Sequence, residues 1–134
     1  MKTRKAISLF ILLYGGIAFF SCSYKKENND PCQSTVPDSV SFQGDLIPLF
    51  AANCSLVSCH SGGSPAGHLN LEAAHAYTEL SKPGSGYLKV SNPKNSLLYS
   101  QVNSNSQPMP PTGKMEVCKI ELILKWIEQG AKNN

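Results

Sequence analysis

The chain has 134 residues, with 12 Lys and Arg against nine Asp and Glu, and it carries five cysteines. Three of the basic residues, Lys2, Arg4 and Lys5, crowd the first five positions. Without that stretch the balance is nine against nine, so no concentrated basic surface for nucleic acid is expected. Nor does the sequence space out a glycine-rich phosphate loop, a nucleophile elbow or a paired-carboxylate site.

The N-terminus reads as an export signal: a charged start, then an apolar run from Ile7 to Phe20 that falls short of the roughly 20 residues a bilayer span requires. Ala18-Phe19-Phe20-Ser21-Cys22 resembles a loose bacterial lipobox, in which cleavage leaves a lipid-modified cysteine at the new N-terminus. Residues 1–21 are therefore expected to be a lipoprotein signal peptide and Cys22 the lipidation site. The alternative is an ordinary signal peptide cut near Ser21, with Cys22 a spare cysteine. Residues 22–39, rich in Ser, Asn, Lys, Asp and Pro, read as a flexible tether. The rest, 40–134, makes one small domain, and a core of that size usually benefits from a staple or a cofactor.

Within the domain no segment alternates as a strand would, and short helices joined by Gly/Pro/Ser loops are expected. The first is predicted from Gly44 to Asn53, with Asp45 at its N-terminus and Pro48 in its first turn. Leu46, Phe50 and Cys54 recur every four residues and share one inward face. A second helix is predicted over Leu71–Leu80, ended by Lys82-Pro83-Gly84. A third covers Ser96–Val102, after the turn Asn92-Pro93-Lys94-Asn95. The last, Glu116–Gln129, has the clearest periodicity, with Val117, Ile120, Leu124 and Ile127 on one stripe. Leu122, Ile123 and Trp126 widen that stripe, Glu121 and Lys125 pair on the wet side, and Gly130 closes the helix.

The segment richest in chemistry is Cys54-Ser-Leu-Val-Ser-Cys59-His60. Two cysteines followed at once by a histidine can fix a c-type haem. Each thiol adds across a porphyrin vinyl group, and the imidazole reaches the iron. The usual motif separates its cysteines by two residues, and here four intervene. Two other readings remain open for these residues alone: a small disulfide loop, or a zinc site completed by His68 or His75. An iron held by one histidine in an electron carrier commonly takes a methionine thioether on its other side. Met109, within Gln107-Pro108-Met109-Pro110-Pro111, sits in a segment that proline stiffens. Met115 is the poorer candidate, being placed for the core.

Taken in order, Asp45-Leu46-Ile47-Pro48, Cys54, Cys59-His60, Asn92-Pro93, Ser96-Leu97-Leu98-Tyr99, Met109-Pro110-Pro111 and Trp126-Ile127 with Gly130-Ala131 resemble a small cytochrome c domain. The chain is similar in particular to c-type haem lipoproteins of some Gram-negative bacteria. The resemblance implies an all-α, cytochrome c-like fold over 40–134, with the first and last helices packed beside a covalently bound haem c. It also implies an electron carrier rather than an enzyme, with Cys54 and Cys59 attaching the cofactor and His60 and Met109 ligating its iron. Leu69, Leu71, Leu97, Leu98, Tyr99 and Trp126 are candidates to wall the pocket, each with a simpler reading as core. His68 and His75 read as surface or loop histidines. The fold it implies brings together the regions of Cys32 and Cys118, and so suggests a disulfide between them, the alternative being two free thiols. Localisation follows as the bacterial cell envelope, lipid-anchored at the periplasmic face, the outer membrane or the cell surface, with an unidentified redox partner protein. Two other functions stay in view. One is a lipid-anchored binding domain without haem, closed by a Cys54–Cys59 disulfide; the other is a haem sensor or enzyme with an open distal position.

Overall fold

A computed structural model describes residues 31–134; the expected signal peptide, Cys22 and the first part of the tether lie outside the described residues. The described chain is all-α, with four α-helices, two 3-10 turns and a π turn, and no strand among the described residues. The helices are α1 (Ile47–Asn53), α2 (Ala76–Leu80), α3 (Leu97–Asn103) and α4 (Val117–Glu128). None of them is long and apolar enough to cross a membrane.

The first helical segment starts earlier than its sequence suggests. Ser41 accepts the Gly44 N–H on its Oγ at 3.0 Å, and Asp45 Oδ2 accepts the Ser41 N–H at 2.8 Å. This reciprocal cap nucleates a π turn, Phe42–Leu46, which runs directly into α1. Pro48 falls in the first turn of α1, where its missing N–H costs nothing. Phe42, Leu46 and Phe50 are fully buried. The Phe42 ring lies 5.0 Å from the Trp126 ring of α4, so the start of the first segment packs against the last helix.

Helix α4 buries Ile120, Ile123, Leu124, Trp126 and Ile127, while Val117 faces water. Its end is a Schellman motif: Ala131 N–H bonds the Trp126 carbonyl and Gly130 N–H the Ile127 carbonyl, with Gly130 at φ +97°. Lys125 reaches Asp38 at 3.8 Å rather than the expected Glu121. Asp38 belongs to residues 31–39, the described part of the expected tether, and that stretch lies against α4. Cys32 is buried and disulfide-bonded to Cys118, with Cα atoms 5.1 Å apart. Val40 N–H and the Asp38 carbonyl both bond the Gln129 side chain.

Helix α2 is shorter than its periodicity suggests and begins at Ala76. Residues 69–72 are engaged elsewhere, as the site geometry makes clear. Ser96 precedes α3 in extended conformation, fully buried, and its Oγ accepts the Lys89 N–H at 2.8 Å. That bond ties the loop before α3 to the helix start.

Candidate functional site

The cysteine segment begins where α1 stops. Cys54 is the C-cap residue, its N–H bonded to the Phe50 carbonyl at 2.8 Å. The chain then turns back on itself: Cys59 N–H bonds the Leu56 carbonyl at 2.9 Å and His60 N–H bonds the Cys54 carbonyl at 3.1 Å. The neck of the loop is thereby closed, and the two residues beyond the usual spacing are taken up outward. Leu56 and Val57 project into solvent, 47% and 91% exposed, while Cys54, Cys59 and His60 are half-buried beneath them. Ser58 meets the tight turn at φ +66°, a region where side chains other than glycine are strained.

His60 is held at both ring and backbone. Its Nδ1 lies 3.2 Å from the Leu69 carbonyl oxygen, and its own carbonyl accepts the Leu71 N–H at 2.8 Å. A carbonyl can only accept, so the tautomer this contact selects carries its proton on Nδ1 and keeps the lone pair on Nε2. That is the state an imidazole needs in order to ligate a metal.

Met109 comes to the same cavity from the loop between α3 and α4. Its N–H bonds the Gln101 carbonyl of α3 at 3.1 Å, and its bond to Pro110 is cis. At the base of the loop, Lys114 Nζ donates to the Asn103 carbonyl and to Asn105 Oδ1, each at 2.8 Å. The Met109 side chain is 38% exposed, a large apolar group with no core to fill.

These residues meet at a cleft of about 150 Å3 lined by Cys54, His60, Leu69, Leu71, Tyr87, Leu97, Leu98, Val102 and Met109, with Gly67 and Gln101. A second recess of about 140 Å3 shares Cys54, His60 and Met109 and adds Cys59, Ala66, Pro110 and Pro111. Apart from His60, Gln101 and a few loop groups, the walls are apolar. Cys54 and Cys59 are both free thiols, so the disulfide reading of this pair is not what the fold adopts. Burial, and then the neighbouring Cys59, push the Cys54 thiol up to about 11, which keeps it protonated at neutral pH.

Of the residues singled out by sequence, Cys54, His60 and Met109 share the cleft, and Cys59 joins them in the recess. Leu69, Leu71, Leu97 and Leu98 wall the cleft, but Tyr99 and Trp126 do not. Trp126 is core, its Nε1–H bonded to the Lys132 carbonyl, and the Tyr99 hydroxyl accepts from Asn103. Tyr87 and Val102 line the cleft without having been singled out. Val102 was within reach of a sequence reading, since it lies one helical turn beyond Leu98. His68 and His75 are exposed, and no group of three or more His, Cys, Asp or Glu converges as a metal site among the described residues. The zinc reading therefore lacks its donors.

The donor set fits a covalently attached haem. One free thiol lines the apolar cleft and the other its neighbouring recess, the adjacent histidine keeps Nε2 for a metal, and a thioether stands at both cavities. Residues 57–113 match the family model described as Planctomycete cytochrome C. The match spans Cys59, His60 and Met109 and begins inside the cysteine loop, so Cys54 precedes it. It supports a cytochrome c-like domain, and with it a haem-binding electron carrier whose cofactor is covalent haem c with its iron. No curated protein and no solved structure matches the chain.

Proposed function

We propose that the chain is a membrane-anchored, mono-haem c-type cytochrome that carries electrons within the bacterial cell envelope. Cys54 and Cys59 would hold the porphyrin through thioethers, and His60 and Met109 would supply the nitrogen and sulfur that hold its iron. Cys22 would carry the lipid anchor. The observation that carries this reading is the convergence of Cys54, His60 and Met109 on one apolar cleft, with the His60 ring already set by Leu69.

When bound, haem supplies a one-electron couple at its iron, and the protein sets its potential. The chain's own residues have three tasks. Leu69 fixes the His60 tautomer and raises the basicity of Nε2. Leu71, Leu97, Leu98 and Val102 would give the porphyrin an apolar wall. Met109 offers a soft sulfur, which favours the reduced metal.

Met109→Ala is the direct test of carrier against sensor or enzyme. Wild-type protein should be six-coordinate and low-spin when oxidised, with the weak near-infrared band of a thioether ligand. The variant should become high-spin, bind added ligands and show a lower reduction potential, with its covalent attachment intact. A wild-type spectrum that is already high-spin, and that the substitution leaves unaltered, would point instead to a ligand-binding haem protein.

A further inference from the structure

The loop that follows His60 leaves the site at Ser61 and comes back to it at Ala66 and Gly67, where the Ala66 N–H bonds the Cys59 carbonyl at 2.8 Å; its outer end is tied by side chains with no part in the cleft. Asn70 Nδ2 donates to the Gly62 carbonyl at 3.3 Å and to Glu72 Oε2 at 2.9 Å. Asn70 Oδ1 accepts the Glu72 N–H at 2.9 Å, and the Gly62 N–H donates to the same Glu72 Oε2 at 3.2 Å. Gly62 stands at φ +75° with open space around it, a turn suited to glycine. Four hydrogen bonds thus join Gly62, Asn70 and Glu72 into one bridge, two residues beyond His60.

The bridge bears on His60 through peptide geometry. The Leu69 carbonyl that meets His60 Nδ1 lies in the peptide plane shared with Asn70 N. The Leu71 N–H that meets the His60 carbonyl lies in the plane shared with the Asn70 carbonyl. Both planes are rigid, so the two backbone dihedrals of Asn70 aim both contacts together. A side chain that fixes Asn70 therefore fixes the imidazole.

Building on the cytochrome reading above, we propose that Asn70 and Glu72 are positioning residues that orient the proximal His60 and hold its Nδ1 bond to Leu69. Neither touches the cleft, and neither would be found by asking what lines it. The bridge also explains why α2 starts late, since Asn70 and Glu72 spend their polar groups on that loop. The Glu72 carboxyl is held below the usual carboxylate range by the Asn70 side chain and then the Gly62 N–H, so the bridge is anionic at neutral pH.

Both Asn70 and Gly62 meet the same Glu72 oxygen. Glu72→Gln should therefore keep the bridge, because its amide oxygen can accept both bonds, whereas Glu72→Ala and Asn70→Leu should break it. The first readout is hydrogen exchange at the Leu71 amide in the protein as isolated. Breaking the bridge should speed that exchange measurably, because the amide opens more often when its segment is less well held, and Glu72→Gln should match wild type. Unchanged exchange in Asn70→Leu, or Glu72→Gln behaving like Glu72→Ala, would overturn the proposal. The second readout is the iron–histidine stretch of the reduced haem-loaded protein in a Met109→Ala background, where only His60 ligates. It should fall in Asn70→Leu and in Glu72→Ala and stay at the parent value in Glu72→Gln; an unmoved stretch would overturn the proposal even if the exchange rate changed. Absence of haem from wild type would sink the cytochrome reading alone, and the exchange result would still decide whether the bridge holds the His60 segment.

Discussion

Removing the Cys32–Cys118 bridge should cost the fold a large part of its stability. The two residues are 86 apart, and every helix but most of α4 lies within the closed loop. In the chain-entropy description, a loop of that length restrains the unfolded state by about 4.5 kcal/mol. Cys32 is buried, so Cys32→Ala also forfeits some packing, while any strain relieved acts in the opposite direction. Residues 31–39 keep their bonds to Gln129 and the Lys125 ion pair, which limits fraying of that end. The expected net loss for Cys32→Ala/Cys118→Ala is about 3–5 kcal/mol. Urea unfolding followed by circular dichroism measures it. The slope against urea should steepen too, because the unfolded chain expands when the bridge is gone. A loss under about 1 kcal/mol with an unchanged slope would refute the reasoning, since neither loop closure nor burial would then matter.

Ser96→Ala should cost about 0.5–1.5 kcal/mol in the same assay, because it removes the hydrogen bond that the fully buried Ser96 accepts from the Lys89 N–H. Protein made without haem should lose stability as pH climbs through about 9 to about 11. Folding raises the Cys54 pKa, so its contribution is complete below the unfolded value and fades as pH approaches the folded one. The size is about 2–3 kcal/mol, and Cys54→Ala should remove that alkaline decline. Cys22→Ser should move the protein from the membrane to the soluble fraction or leave it unprocessed. Unchanged membrane fractionation with the signal still cleaved would argue against a lipid anchor.

The sequence exposed the fold class and the last helix because both rest on periodicity. Ile120, Leu124 and Ile127 repeat at helical spacing, and Gly130 marks the end where the Schellman motif sits. The first segment was less legible at its start. A π turn has no periodic signature of its own, and the Ser41 cap lies before the apolar pattern begins. Helix α2 was overestimated because Leu71 and Leu80 suit a helix, yet long-range bonds from Asn70, Leu71 and Glu72 draw residues 69–72 away. The chemistry of Cys54, Cys59, His60 and Met109 could be named from residue types and order. The meeting of Cys54, His60 and Met109 at one cleft, with Cys59 in the adjoining recess, could not, because it depends on where α3 places the Met109 loop. Trp126 was offered as a wall because a large aromatic suits a cofactor pocket equally well, and only its contact with Phe42 assigns it to the core. Least legible of all was the way the longer cysteine loop closes, through one backbone bond between His60 and Cys54.

The most direct test of the central claim is the visible spectrum and intact mass of the protein isolated from the cell envelope, beside those of Cys54→Ala/Cys59→Ala. The account predicts a sharp reduced α-band typical of thioether-linked haem and a mass raised by one haem that survives denaturation, both absent from the double variant. A featureless visible spectrum at the mass of the bare processed chain would contradict it.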